Sequence, residues 1–167
     1  EVENLAKEVR EHERILTEFD AIQAQLPKRA IHHDTKIGNF LFDEKTMEVC
    51  ALIDLDTLMS GTILSDVGDM IRSYANPSGE DAENATDVVL DKTIVDAILE
   101  GYLLEMKDKL TDLEKHNLTF SGIALSYMQA VRFLTDHVCG NRYFHVETHG
   151  QNLNRARNQL ALFRQLV

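Results

Sequence analysis

The sequence predicts a single α+β domain that is mainly helical, with one small β-hairpin near its front. Most apolar residues recur at spacings of three and four, the period of an amphipathic helix. Only the stretch 40–53 shows the short apolar runs of strands, separated by the turn-forming Asp43-Glu44-Lys45-Thr46. The chain has 167 residues, 44% of them hydrophobic and 27% charged. That suffices for one packed core and shows none of the bias of disordered or fibrous chains.

In chain order, Val2, Leu5, Val9, Leu16, Phe19 and Ile22 predict one helix over 1–25. Pro27 ends it, because proline disfavours helical geometry in the residue before it. Ala30-Ile31 leads into a polar loop, followed by a strand at Phe40-Leu41-Phe42 and a second at 47–53. In the second strand the period of two sets Met47, Val49, Ala51 and Ile53 on one face. Antiparallel pairing would bring Asn39, at the start of the hairpin, beside Asp54 at its end. Gly61-Thr62 predicts a turn, and Ser65-Asp66 the cap of a helix to about Tyr74. Residues 76–86, with Pro77, Gly79 and the acids Glu80, Asp81 and Glu83, read most simply as a solvated loop, with ordering against a sugar or an absent lobe as the alternative.

The remainder is helical. Ile94, Val95, Ile98, Leu99, Tyr102, Leu103 and Met106 make one apolar face, and Leu118, Ile123, Leu125, Met128, Val131, Leu134 and Val138 another. Gly122 within the second is expected at a close helix–helix approach. Cys139-Gly140-Asn141 stops that helix, and Leu153, Ala156, Leu160 and Phe163 mark a last one.

Charge narrows the function. Lys+Arg 17 against Asp+Glu 28 leaves a net −11, a poor match to nucleic-acid phosphates. No apolar run approaches the roughly 20 residues of a membrane span, and no signal-peptide pattern is present. Cys50 and Cys139 sit in apolar runs and are expected to be buried free thiols, which favours a reducing, cytoplasmic setting. The chain opens at Glu1 in mid-helix, so it is expected to be part of a longer protein.

The chemistry concentrates in His32-His33-Asp34-Thr35-Lys36-Ile37-Gly38-Asn39 and Ile53-Asp54-Leu55-Asp56. Phosphoryl transfer requires positioning and charge neutralisation more than covalent work by the protein. Asp34 is the candidate base for an acceptor hydroxyl, and Lys36 can set a positive charge near the transferred phosphate. Asn39 and Asp54 offer the oxygen ligands that Mg²⁺ prefers. The His-x-Asp, four residues, Asn spacing is that of a protein-kinase catalytic loop. Taken singly, an Asp after a His is most often a turn residue and Asp-Leu-Asp a helix cap; their order across one hairpin favours chemistry. Asp56 could be a second ligand or merely a cap. His145, Glu147 and His149 invite a metal but lack the His-Glu-x-x-His order, so none is expected there. His12 and His116 are expected at the surface.

The motifs His32-x-Asp34-x-Lys36-x-x-Asn39, Ile53-Asp54 and Asp66-Val67-Gly68-Asp69 resemble the aminoglycoside phosphotransferase and choline kinase superfamily. Leu41-Phe42-Asp43, Ile53-Asp54-Leu55-Asp56-Thr57, Met59-x-Gly61 and Gly68-Asp69-x-Ile71-Arg72 are more closely similar to the N-acetylhexosamine 1-kinases. So are Arg132-Phe133-Leu134-Thr135-Asp136, Tyr143-Phe144 and Asn152-Leu153-x-Arg155-Ala156-x-x-Gln159-Leu160 near the end of the chain. The resemblance implies a protein-kinase-like C-terminal lobe over 1–167, with the N-terminal nucleotide-clamping lobe outside it and little activity without that lobe. It implies ATP- and Mg²⁺-dependent phosphorylation of the anomeric hydroxyl of N-acetylglucosamine or N-acetylgalactosamine.

In that scheme Asp34 is the base and Asn39 and Asp54 are metal ligands. His32 and Asp66 support the loop, and Arg132 and Tyr143 contact the sugar. An aminoglycoside, choline or methylthioribose acceptor, or a non-catalytic binding module, are the alternatives. Without the resemblance, Arg132 could simply pair with Asp136 four residues on, and Tyr143 could cap the core. His33 and Gly38 depart from the commoner Gly or Asn and Asn of the relatives, which bears on the acceptor preferred.

Overall fold

The computed structural model describes residues 1–82 and 84–167, with the backbone alone at Thr86. Its helices are α1 (Val2–Glu11), α2 (Arg14–Gln23), α3 (Ile63–Tyr74), α4 (Lys92–Met106), α5 (Asp112–His116), α6 (Leu118–Val138) and α7 (Gln151–Leu166). Its strands are β1 (Arg29–Ile31), β2 (Phe40–Phe42), β3 (Val49–Leu52) and β4 (Met59–Gly61). They make two small antiparallel sheets, β2 with β3 and β1 with β4. The fold is therefore mainly helical with a minor β component, as the hydrophobic periods predict.

The single helix expected over 1–25 is two. The His12 N–H bonds back three residues to the Val9 carbonyl, a tightened turn that ends α1. The break sets the His12 ring edge-on to Phe163, with centroids 5.0 Å apart, so His12 is half-buried instead of lying on the surface.

The hairpin pairs Phe40 with Leu52 and Leu41 with Ala51, then bulges before Phe42 meets Val49. Every residue of β3 is exposed. The predicted apolar face of Met47, Val49, Ala51 and Ile53 is therefore exposed, with Val49 at the edge of a cavity that Met70 and Tyr74 also line. Cys50, carried on this strand, and Cys139, at the end of α6, are exposed free thiols, which corrects the expectation of burial.

Gly61-Thr62 is not a turn. Gly61 ends β4 opposite Arg29, and α3 starts at Ile63, three residues before the expected helix. The Thr62 hydroxyl donates to Gln23 Oε1 at 2.7 Å, tying this start to α2. Asp66 consequently lies in the first turn of α3, where a carboxylate also meets the positive end of the helix dipole.

Helices α3 and α6 form the centre. Leu64, Val67 and Ile71 of α3 pack with Leu118 and Ala124 of α6 in one buried cluster. A Cβ on Gly122 would lie 2.5 Å from Ile71 Cγ2, and one on Gly68 would lie 2.6 Å from the Ser121 carbonyl oxygen. Gly122 thus marks the close approach that was expected, and Gly68 marks it from the other side. A second cluster joins α6 to α7 and α1 through Tyr127, Phe133, Leu160, Phe163 and Leu5. The short α5 carries a capping box between Thr111 and Glu114, and buried Glu114 accepts two 3.1 Å hydrogen bonds from Arg29. Among the described residues no helix is long and apolar enough to cross a membrane.

Candidate active site

β1 delivers the polar loop onto the start of α3, and α3 then holds it at several points. Asp66 Oδ2 accepts the His32 N–H at 3.0 Å, and Oδ1 accepts the His33 N–H at 2.7 Å. The Thr35 hydroxyl donates to the Asp66 carbonyl at 2.8 Å. Two helical turns further on, the Tyr74 hydroxyl donates to the Thr35 carbonyl at 2.6 Å. Burial, with the charges of Asp69 and Asp66, pushes the Tyr74 hydroxyl up, so it remains protonated and able to donate. The Thr57 hydroxyl donates to the His32 carbonyl from the opposite side.

The buried His32 ring ties the loop to the hairpin. Its Nδ1 accepts the Asp34 N–H at 3.2 Å, and its Nε2 lies 3.0 Å from the Ile53 carbonyl oxygen. A carbonyl can only accept, so Nε2 carries the proton and the ring is the neutral Nε2–H tautomer. His33 takes a left-handed backbone (φ 66°). Its ring presses on Gly61, where an added Cβ would come within 2.7 Å of it. That arrangement accounts for a glycine at position 61.

The loop folds its polar groups onto Asp34. Asp34 Oδ2 accepts from Lys36 Nζ at 2.9 Å and from Asn39 Nδ2 at 2.8 Å. Asn39 Nδ2 also reaches the Asp34 carbonyl at 2.7 Å. Burial alone would raise the Asp34 carboxyl. The hydrogen bonds from Lys36 and Asn39, with the charges of Lys36 and Arg72, outweigh it and hold the group below the usual carboxylate range. Lys36 is raised, chiefly by its hydrogen bond to Asp34 against the effect of burial, with further help from the charges of Asp34, Asp54 and Glu80.

The Ile53 N–H donates to the Asn39 carbonyl at 2.9 Å, which sets Asn39 beside the end of β3 as the pairing predicts. Asp54 follows at φ 61°, a left-handed backbone uncommon for a residue other than glycine, and exposes its carboxylate. Asp56 is exposed in the 3₁₀ turn after it. The Asn39 amide spends its nitrogen on Asp34, which leaves the oxygen to face another partner. One amide oxygen with one or two nearby carboxylates suits a hard cation such as Mg²⁺ that shares its shell with phosphate and water. No group of three or more His, Cys, Asp or Glu residues placed to hold a metal occurs among the described residues.

Residues to which the sequence assigned no role complete this half. Buried Arg72 donates to Asp69 Oδ1 through Nε at 2.9 Å and Nη2 at 2.7 Å, and to Glu80 Oε2 through Nη1 at 2.7 Å. Asp69 and Arg72 stand three apart on α3, a visible pairing signal; nothing in the sequence pointed to Glu80 as the third member. The loop 76–86 is not merely solvated. Glu80 is held by Arg72, Asp81 by Arg155 at 2.6 Å, and Asn76 by Asn158 at 3.0 Å. Glu83 lies outside the described residues.

Arg132 and Tyr143 form a second group. The Arg132 guanidinium lies 5.5 Å from the Tyr143 ring centre and 5.2 Å from that of Phe144, a stacked cation–π ledge. Tyr143 is 74% exposed and caps no core. The Arg132–Asp136 pair does not form. Buried Asp136 accepts the backbone N–H groups of Arg142, Tyr143 and Phe144 at 2.8–3.0 Å and the Asn152 amide at 2.9 Å. Burial pushes its carboxyl up, but those four donors prevail and hold it below the usual range. Beside the ledge is a cavity of about 460 Å³, lined by Val131, Arg132, Thr135, Cys139 and Tyr143 among others.

The structure thus gathers His32, Asp34, Lys36, Asn39, Asp54 and Asp66 around one loop, and sets Arg132 with Tyr143 in a group apart from them. Among models of known protein families, that of the phosphotransferase enzyme family matches residues 1–109. The match takes in the loop, the hairpin and all of α3, and stops before α6, which carries Arg132, and before the segment after it that carries Tyr143.

Proposed function

The chain belongs to the phosphotransferase enzyme family, and from that premise we propose that it is the catalytic, carboxyl-terminal lobe of a kinase that transfers phosphate from ATP to the anomeric hydroxyl of an N-acetylhexosamine. One observation carries the reading: Lys36 and Asn39 converge on Asp34 at 2.9 and 2.8 Å, and the Ile53–Asn39 hydrogen bond sets Asp54 next to them.

Asp34 is the group that takes the acceptor's proton. The same hydrogen bonds keep it ionised at neutral pH and fix its direction, which a general base requires. Asn39 and Asp54 would hold Mg²⁺, which when bound neutralises charge on the phosphates. Lys36 adds a cation on the same side of the loop. His32 and Asp66 touch no reacting atom; they hold the backbone from which Asp34 projects. The sugar preference rests on the ledge. An aromatic face suits the apolar side of a pyranose, and guanidinium N–H groups suit an acetamido carbonyl, whereas a cation there disfavours choline and aminoglycosides. The proposal extends to an N-terminal nucleotide-clamping lobe and to a cytoplasmic protein. The exposed Leu41, Met47, Val49 and Met59 around the hairpin offer that lobe a seat.

The test is turnover by the full-length protein with ATP, Mg²⁺ and N-acetylglucosamine or N-acetylgalactosamine, with the product read by ³¹P NMR as a sugar 1-phosphate. Asp34→Asn should lower kcat by about 10²–10⁴-fold and leave nucleotide binding intact. Phosphorylation of choline or an aminoglycoside in place of the sugars would overturn the acceptor, and undiminished turnover by Asp34→Asn would overturn the base.

A further inference from the structure

We propose that the adjacent residues Glu80 and Asp81 are positioning residues, a two-residue staple that sets the span between the catalytic loop and the Arg132–Tyr143 ledge and thereby governs acceptor fit. The inference rests on the kinase reading above and names a device that the reading does not contain.

The two side chains are committed in opposite directions. Glu80 bonds Arg72 at 2.7 Å. Arg72 lies on α3, the helix that grips the loop through Asp66 and Tyr74. Asp81 bonds Arg155 at 2.6 Å and Gln151 at 3.1 Å, both on α7. From Arg155 the connection runs on to the ledge. Its Nη1 donates to Asn152 Oδ1 at 3.2 Å, and Asn152 donates to Asp136, which holds the amides of 142–144. The Arg155 guanidinium also lies 5.6 Å from the Phe133 ring centre, and Phe133 packs on Phe144 at 4.6 Å.

Consecutive Cα atoms are a fixed distance of about 3.8 Å apart. Two neighbouring residues with opposite ion-pair partners therefore join the two groups through a backbone step of fixed length, the remaining freedom lying in the side chains. Both ends resist release. Arg72 is a buried cation, and loss of Glu80 would leave it with Asp69 alone and its Nη1 without the 2.7 Å bond it now makes. The Asn158 amide donates to the Gly79 carbonyl at 2.8 Å and holds the same turn from α7. Transfer demands alignment of base and acceptor within fractions of an ångström, and a misplacement of about 1 Å can cost on the order of 10²-fold. A staple of this kind acts on the acceptor side of catalysis and leaves the nucleotide side alone.

The experiment is steady-state kinetics on full-length Asp81→Asn, Glu80→Gln and the conservative Asp81→Glu, varying sugar and ATP separately. Asp81→Asn should raise the acceptor KM by about tenfold while the ATP KM stays within about twofold, and Asp81→Glu should recover most of the loss. Should Asp81→Asn fail to fold by circular dichroism, Gln151→Ala removes the neutral arm, together with the 2.7 Å bond that Gln151 accepts from the Glu147 N–H, and should raise the acceptor KM by roughly two- to threefold. Equal shifts in both KM values, or none in either, would overturn the staple. Failure of the wild-type protein to phosphorylate any N-acetylhexosamine would instead overturn the kinase reading, and the staple with it.

Discussion

Gly68→Ala probes the packing that holds Asp66 against the loop of His32 to Asn39. An ideal Cβ at this position would lie 2.6 Å from the Ser121 carbonyl oxygen and 2.9 Å from two Leu125 side-chain atoms. Non-bonded heavy atoms pack at about 3.5–4.0 Å, so the methyl is roughly 1 Å too close. The leucine can turn away, but the carbonyl belongs to the backbone of α6, so α3 itself must move. Overpacking costs about 1–3 kcal/mol, and a backbone clash belongs at the upper end. Alanine recovers about 1 kcal/mol over glycine inside a helix. The net loss is therefore about 2 kcal/mol, a fall in Tm of about 4–8 °C for a chain of this length.

Gly101 in α4 supplies the comparison, since a Cβ there would meet nothing within 4 Å. Gly101→Ala should gain up to about 1 kcal/mol and raise Tm by roughly 2–4 °C. Urea denaturation followed by far-UV circular dichroism reads both, with unchanged m-values expected. The His32 and His33 amides, which donate to Asp66, should exchange faster in Gly68→Ala alone. Equal or greater stability of Gly68→Ala would refute the packing argument.

Two further outcomes are expected. Cys50 and Cys139 are exposed and free, so a thiol reagent should modify both in the native protein without denaturant; protection of either contradicts the placement of its strand or helix end. Asp136 is depressed in the folded state, so its contribution is complete above the unfolded carboxylate value of about 3.9 and is lost as the pH falls through the lower folded value. Asp136→Asn should accordingly be less stable than wild type near neutrality, with the gap in Tm closing as the pH approaches about 3. A gap independent of pH would show that the carboxylate charge is not what holds residues 142–144.

Much of the site was legible because its information is local. The spacing from His32 to Asn39 lies within one loop, and the period-two run of β2 and β3 fixes the pairing that sets Asn39 beside the residues before Asp54. Helices α4, α6 and α7 announced themselves by their apolar period. The β1–β4 pair did not, because Arg29, Ser60 and Gly61 show no alternation in so short a run. Its absence from the reading delayed the predicted start of α3. Burial was misjudged at Cys50, since apolar neighbours along a strand indicate a buried face only when something packs on that strand.

Partner choice was the other gap. An arginine four residues away is a weaker claim on Asp136 than three backbone N–H groups and an amide, and sequence spacing cannot rank them. Arg72 with Glu80 and Asp81 with Arg155 depend on tertiary approach across a loop and between distant helices. Thr111-x-x-Glu114 is the exception, a capping signature present in the sequence and passed over.

The anchors of the loop also differ in how much chain they enclose. Asp66 reaches His32 and His33 across separations of 34 and 33 residues, whereas Asp81–Arg155 and Asn76–Asn158 span 74 and 82. Closure entropy grows only with the logarithm of length, at about 0.6 kcal/mol per doubling. Extra residues between α4 and α5, inside the longer loops and outside the shorter ones, would thus carry a small entropic cost and leave the Asp66 anchors untouched. The part of the chain that carries Arg132 and Tyr143 is enclosed by long circuits that tolerate a change of length, while the loop around Asp34 is confined to a short one. Under the kinase reading proposed above, a lineage could change its acceptor without reopening the loop that handles phosphate.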